Sequence, residues 1–174
     1  MSELANRRAR RMLSPDEGET VWLRKLGIRF MIGGEETQDN FALVEHPIGP
    51  RALAAPMHTH EREDEYTYVL EGEIGFQIGE EVLVARPGDL VFKPRGVKHA
   101  FWNAADEPAR ALEIISPAGF EGFFAALGTA GETASDPAEF LQRRAELGEQ
   151  YGLGFSDEWV AELTARYRLK LLGE

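Results

Sequence analysis

From Thr20 to Ile115 the chain is written in short apolar runs, each closed by glycine, proline or a polar turn. The runs are Val21 to Leu23, Ile28 to Ile32, Phe41 to Glu45, Ala55 to His60, Tyr66 to Leu70, Ile74 to Ile78, Val82 to Ala85, Leu90 to Lys93, His99 to Asn103 and Arg110 to Ile115. Between them stand Gly33-Gly34, Glu71-Gly72-Glu73, Gly79-Glu80-Glu81, Pro87-Gly88-Asp89 and Pro94-Arg95-Gly96. Segments of this length, rich in β-branched and aromatic residues and recurring every 8–12 residues or so, describe an all-β sandwich or barrel. No helical pattern of crossover length intervenes, which argues against a parallel βαβ sheet. At 174 residues the chain suits one core with short appendages.

The text changes on either side of this block. Residues 1–18 read as an N-terminal arm, closing on the turn Ser14-Pro15-Asp16-Glu17-Gly18, and residues 19–118 as the barrel. Residues 119–174 read as a C-terminal helical extension. In it, Phe120 to Leu127 predicts a short helix stopped by Gly128, with Thr129 to Ser135 as a loop. Asp136-Pro137 then supplies an N-cap and first-turn proline for a helix to about Tyr151. Ser156 caps a last helix that places Trp159, Leu163 and Tyr167 on one face.

Charge and composition remove several function classes. The net charge of −11 opposes sequence-independent nucleic-acid binding, and the basic cluster Arg7, Arg8, Arg10 and Arg11 has no reading motif beside it. No apolar run is long enough for a membrane span, and the first residues lack the apolar core of a secretory signal. Without cysteine there is no disulfide framework and no thiolate ligand. The expectation is a cytoplasmic protein that binds a small molecule, with neither nucleic acid nor membrane as partner.

One stretch carries chemistry. In His58-Thr59-His60 the histidines share one face of a strand, so both imidazoles can converge on one point. The polar run Glu61 to Asp64 reverses the chain and resets the register for Glu65, with Glu63 and Asp64 as competing carboxylates. If Glu65 faces inward, so do Thr67 and Val69, while Tyr66, Tyr68 and Leu70 form an outward apolar row suited to a homodimer contact. His99 opens a strand after a Pro-x-Gly turn, where it can aim into a barrel mouth. Phe101 shares its face and is the best cavity wall, with Gln77 as a polar pocket contact; Phe76, Phe92 and Trp102 read mainly as core. His46, followed by Pro47, reads as a surface or loop histidine, and Lys93, Arg95 and Lys98 as solvated turn charges.

The spacing His58, one residue, His60, four residues, Glu65, six residues, Gly72 resembles the first signature motif of the cupin superfamily. Gly88, five residues, Pro94, one residue, Gly96, two residues, His99, three residues, Asn103 resembles the second. The first motif carries Ala52 where the family has a glycine. The resemblance spans roughly residues 40–118, and the wording from His60 to Gly72 and from Gly119 to Phe124 is similar to single-domain cupins of the quercetin 2,3-dioxygenase-like branch. It implies a double-stranded β-helix, or jelly-roll, cupin barrel holding one divalent transition metal ion (Fe, Mn, Ni, Cu or Zn) on His58, His60, Glu65 and His99. It also implies a catalytic Glu65, as ligand or general base, in an oxygenase acting on vicinal oxygens, as in a flavonol or an enolic diketone. A non-redox isomerase, lyase or cyclase and a non-catalytic binder use the same ligand set.

Overall fold

A computed structural model describes residues 12–156 and 158–169; the arginine cluster of the N-terminal arm lies outside them. Two antiparallel sheets are built from β1 (Thr20–Leu23), β2 (Leu26–Ile32), β3 (Ala42–Ile48), β4 (Ala52–His60), β5 (Asp64–Glu71), β6 (Ile74–Ile78), β7 (Glu81–Ala85), β8 (Leu90–Lys93), β9 (His99–Asn103), β10 (Ala109–Ser116) and β11 (Leu153–Phe155). One sheet runs β1-β2-β3-β10-β5-β8 and the other β11-β4-β9-β6-β7. This is the jelly-roll arrangement, with a helical part at its C-terminal end. The helices are α1 (Gly34–Thr37), α2 (Glu121–Thr133), α3 (Pro137–Tyr151) and α4 (Val160–Tyr167).

Alternation along the strands decides what faces inward. In β5, Glu65, Thr67 and Val69 are buried while Tyr68 is exposed, the parity expected from the sequence. Register then lines up Leu43, Ile114, Tyr66 and Phe92 across β3, β10, β5 and β8 on the outward face. Tyr66 and Phe92 stack there with centroids 5.0 Å apart. Phe92 is 49% exposed, because the register that buries Val91 and Lys93 turns it outward; it is not a core residue. The homodimer expectation rests on this face.

Between the sheets lies the main core, with Ile28, Val44, Ile74, Phe76, Phe101 and Ile115 among its buried members. A smaller core forms behind β9, where Leu53, Ala100 and Trp102 meet Leu163 of α4. Trp102 stacks on Tyr167 at 4.9 Å, which fixes α4 against the outside of the second sheet.

The structure departs from the sequence expectation at several points. Helix α2 continues through Gly128 to Thr133 instead of stopping. Gly128 lies so close to β1 that an added Cβ would meet Val21 Cγ1 at 2.4 Å, so glycine here allows close packing instead of ending the helix. Second, Leu153–Phe155 is a strand, pairing Leu153 with His60 and Phe155 with His58. Third, β3 extends past Glu45 to Ile48, which brings His46 into the sheet. Helix α3 follows its signals: Asp136 accepts from the backbone of Ala138 and Glu139, and Gly152 ends it in the left-handed region.

Gly75 is opposite Trp102 in the β6–β9 ladder, and a Cβ there would sit 2.3 Å from the indole ring. Trp102 is 1% exposed and held from behind by Tyr167, so it has nowhere to move. Gly75→Ala is expected to lower unfolding free energy by about 2 kcal/mol or more through overpacking. Urea denaturation checks this; an unchanged midpoint would show the indole to be free to shift.

Candidate metal centre and cavity

Strand pairing assembles the site. Strands β4 and β9 lie side by side with His58 directly opposite His99, and His60 follows two residues on along β4. The tight reversal at Glu61 to Glu63 delivers Glu65 on β5 from the facing sheet. Each of His58, His60, Glu65 and His99 offers an atom within 4.8 Å of the others, and all four side chains are buried.

The ring nitrogens are sorted by their partners. His58 Nδ1 donates to the Pro56 carbonyl at 2.8 Å, and His99 Nδ1 donates to the Val97 carbonyl at 3.0 Å. A carbonyl only accepts, so His58 carries its proton on Nδ1 and presents a bare Nε2, whereas His99 Nε2 meets a second acceptor, Glu65 Oε2, at 3.2 Å. Burial, followed by the neighbouring histidines, holds His58 well below the usual histidine range; burial also lowers His99 against the pull of Glu65. His60 Nε2 lies 3.4 Å from Glu65 Oε1 and its Nδ1 lies 3.6 Å from Glu63 Oε2. Both His60 nitrogens are buried without a hydrogen bond. Bare imidazole nitrogens beside an ionised carboxylate form a donor set that fits a divalent first-row ion, and an orphaned buried histidine is what such an ion would satisfy.

A second layer of charge lies behind Glu65, and here the sequence reading of Lys93 is overturned. Lys93 is 1% exposed, with Nζ 2.9 Å from Glu65 Oε2 and 3.0 Å from Glu113 Oε1. Thr67 Oγ1 donates to Glu113 Oε2 at 2.7 Å. The register explains the grouping: Glu65 is opposite Lys93 on β8, and Thr67 is opposite Glu113 on β10. Although burial works the other way, Lys93 and the histidines hold Glu65 well below the carboxylate range. Burial dominates at Glu113 and pushes it up to about 7. Its neighbours Arg95 and Lys98 are surface charges as expected, paired with Asp64 and Glu158.

Through His58 and Glu65 the four-residue cluster opens onto a cavity. It measures about 70 Å³ as space open to the centre of a water molecule, inside about 590 Å³ of atom-free volume that continues to the mouth. His58, Glu65, Lys93 and Glu113 form its polar end, and Phe101, Phe120, Phe123, Phe124 and Phe155 its walls. Phe120 meets His60 edge-on at 4.3 Å, so the start of α2 covers the cluster. Phe101 therefore lines the cavity, whereas Gln77 lies outside it: Phe76 takes the inward position opposite Phe101, and Gln77 pairs with Ala100 on the other face.

His46 is the other departure. It is 2% exposed, lines the cavity, and donates from Nδ1 to the Gly27 carbonyl at 3.0 Å. Proline at position 47 sits on the outward face of β3, where it does not interrupt the inward alternation. The strand continuing through His46 could have been signalled by Ile48, which completes the pattern Ala42, Val44, His46, Ile48.

Residues 45–115 match the cupin domain. No curated protein matches the chain in sequence. Among solved structures, KdgF from Halomonas sp. is similar at 18% identity with a TM-score of 0.57, covering 64% of this chain and 98% of its own. A sugar phosphate isomerase of the cupin superfamily from Silicibacter pomeroyi is similar at 22% identity and 0.54, covering 60% of this chain and 74% of that one. Pac13, a nucleoside dehydratase, for which Streptomyces is the source, is similar at 14% identity and 0.52, covering 66% and 88%. At these identities the likeness shows the fold alone. The fold is a cupin barrel.

Burial lowers His46 from 6.5 to about 4. Between these values a falling pH protonates the unfolded chain but not the folded one. The stability this neutral histidine confers is therefore complete above pH 6.5 and is lost as pH falls towards 4. The gap corresponds to about 3 kcal/mol. His46→Gln should remove up to that much of the acid destabilisation, read as urea midpoints at pH 7 and pH 4.5; an unchanged difference between the two would refute it.

Proposed function

We propose that the protein is a metal-dependent cupin oxygenase, resembling the quercetin dioxygenase-like branch, that acts on a small and largely apolar organic substrate. The observation carrying this reading is the convergence of His58, His60, Glu65 and His99 at the polar end of an aromatic-walled cavity. A divalent transition ion held there would supply a Lewis-acidic centre for vicinal substrate oxygens and for dioxygen. The chain's own groups do the remaining work. Phe101, Phe120, Phe123 and Phe124 exclude water and favour a flat apolar ligand. Lys93 keeps Glu65 ionised, as a ligand or a base requires. The cations at the cavity are already engaged, Lys93 by two carboxylates and Arg144 over the Phe155 ring at 4.1 Å, which disfavours a phosphorylated substrate.

One observation favours a second reading, a non-redox isomerase, lyase or cyclase. Glu113 lines the cavity and is pushed up to about 7, so it can hold or release a proton near neutrality. Oxygen uptake by Fe-, Mn-, Ni- and Cu-loaded protein with a panel of flavonols and enolic diketones separates the two. The oxygenase reading expects oxygen consumed in step with substrate, and undiminished anaerobic turnover would favour the second. In His58→Ala and His99→Ala, bound metal by elemental analysis should fall at least about tenfold; unchanged content in both would sink the ligand assignment.

A further inference from the structure

We infer that His46 is a specificity-determining residue, whose Nε2 accepts a hydrogen bond from a ring hydroxyl of the ligand held in the cavity. This rests on the proposed reading only in taking the cavity as the ligand site.

The tautomer is set by the backbone. Gly27 supplies a carbonyl 3.0 Å from Nδ1, so the ring proton is on that nitrogen and Nε2, on the opposite edge of the ring, is a bare acceptor. Among the described residues Nε2 has no hydrogen-bond partner, although the side chain is 2% exposed and lines the cavity. This acceptor faces the cavity without a protein donor, and a ligand that brings an O–H into the aromatic surroundings gains that hydrogen bond. Burial keeps the ring neutral at physiological pH, so it does not become a donor.

The surroundings define the rest of the ligand. Phe101 and Phe124 stand 6.1 Å and 5.7 Å from the His46 ring, centroid to centroid, and flank the acceptor with apolar faces. A volume of about 70 Å³ on this scale is that of about five or six water molecules, close to the heavy-atom count of one substituted ring. Lys93 and Glu65 lie towards the metal-site end of the same cavity. The part of the ligand held here is therefore a phenol-sized ring with one hydroxyl at His46, separate from whatever oxygens face the histidine cluster. A site that supplies an acceptor for an O–H rejects the isostere that lacks it, because its own buried acceptor is then left unpaired.

The probes are phenol and methoxybenzene, titrated into the protein and followed by NMR shifts, as purified and again after removal of metal by a chelator. The expected result is that phenol binds at least about tenfold more tightly than methoxybenzene in both forms. His46→Phe should abolish this preference while holding methoxybenzene affinity within about twofold, and His46→Gln, which keeps a donor and an acceptor, should retain it. Equal affinities in the native chain, or a preference that survives in His46→Phe, would overturn the inference. So would a preference that vanishes on chelation, since the hydroxyl would then belong to the metal. Metal content measured alongside reports on the proposed metal centre separately and leaves the phenol contrast readable.

Discussion

Lys93 is the charge around which the interior is arranged. An ammonium at 1% exposure is untenable alone, and it is tolerated because Glu65 and Glu113 reach it at 2.9 Å and 3.0 Å. The lysine and its two partners come from three different strands, β8, β5 and β10, so the ion pairs form only when the sheet is in register. A one-residue slip would turn Lys93 to solvent and leave two carboxylates buried among hydrocarbon. The same contact sets the chemistry in front of it. Lys93 keeps Glu65 ionised, while Glu113, further from the histidines and dominated by burial, is the member of the group that takes up a proton near neutrality.

This arrangement gives the cavity two unlike ends. The polar end is built from the barrel strands and the apolar walls largely from α2, whose phenylalanines pack edge-on and stacked around Phe120. Low polarity around the cluster strengthens every electrostatic contact within it. It also favours ligands that carry little charge.

What the sequence discloses follows the range of the interactions involved. His58 and His60 are legible because strand alternation is local, and His99 because a Pro-x-Gly turn announces its strand. Lys93, Glu113 and His46 are not, because their burial depends on partners 19 to 78 residues away along the chain; Lys93 next to Pro94-Arg95-Gly96 looks like an ordinary turn cation. Gln77 is turned away from the cavity because the β6–β9 ladder gives the inward position to Phe76. The same holds for β11, whose three residues have no strand signature and are extended only because β4 offers an unpaired edge beside His58 and His60.

That edge pairing ties the helical extension to the candidate metal centre. β11 pairs with the residues that carry two of the candidate ligands, and Ser156 donates its backbone N–H to the Met57 carbonyl at 3.0 Å just beyond. The strand that positions His58 and His60 thus has β9 on one side and the C-terminal segment on the other. Helix α3, which leads into β11, packs on α2, and α2 closes the cavity over His60. Release of β11 would therefore act on the site twice, by freeing the edge of the strand that carries two candidate ligands and by loosening the aromatic wall beside the cluster. In this chain the extension completes the site that the barrel begins.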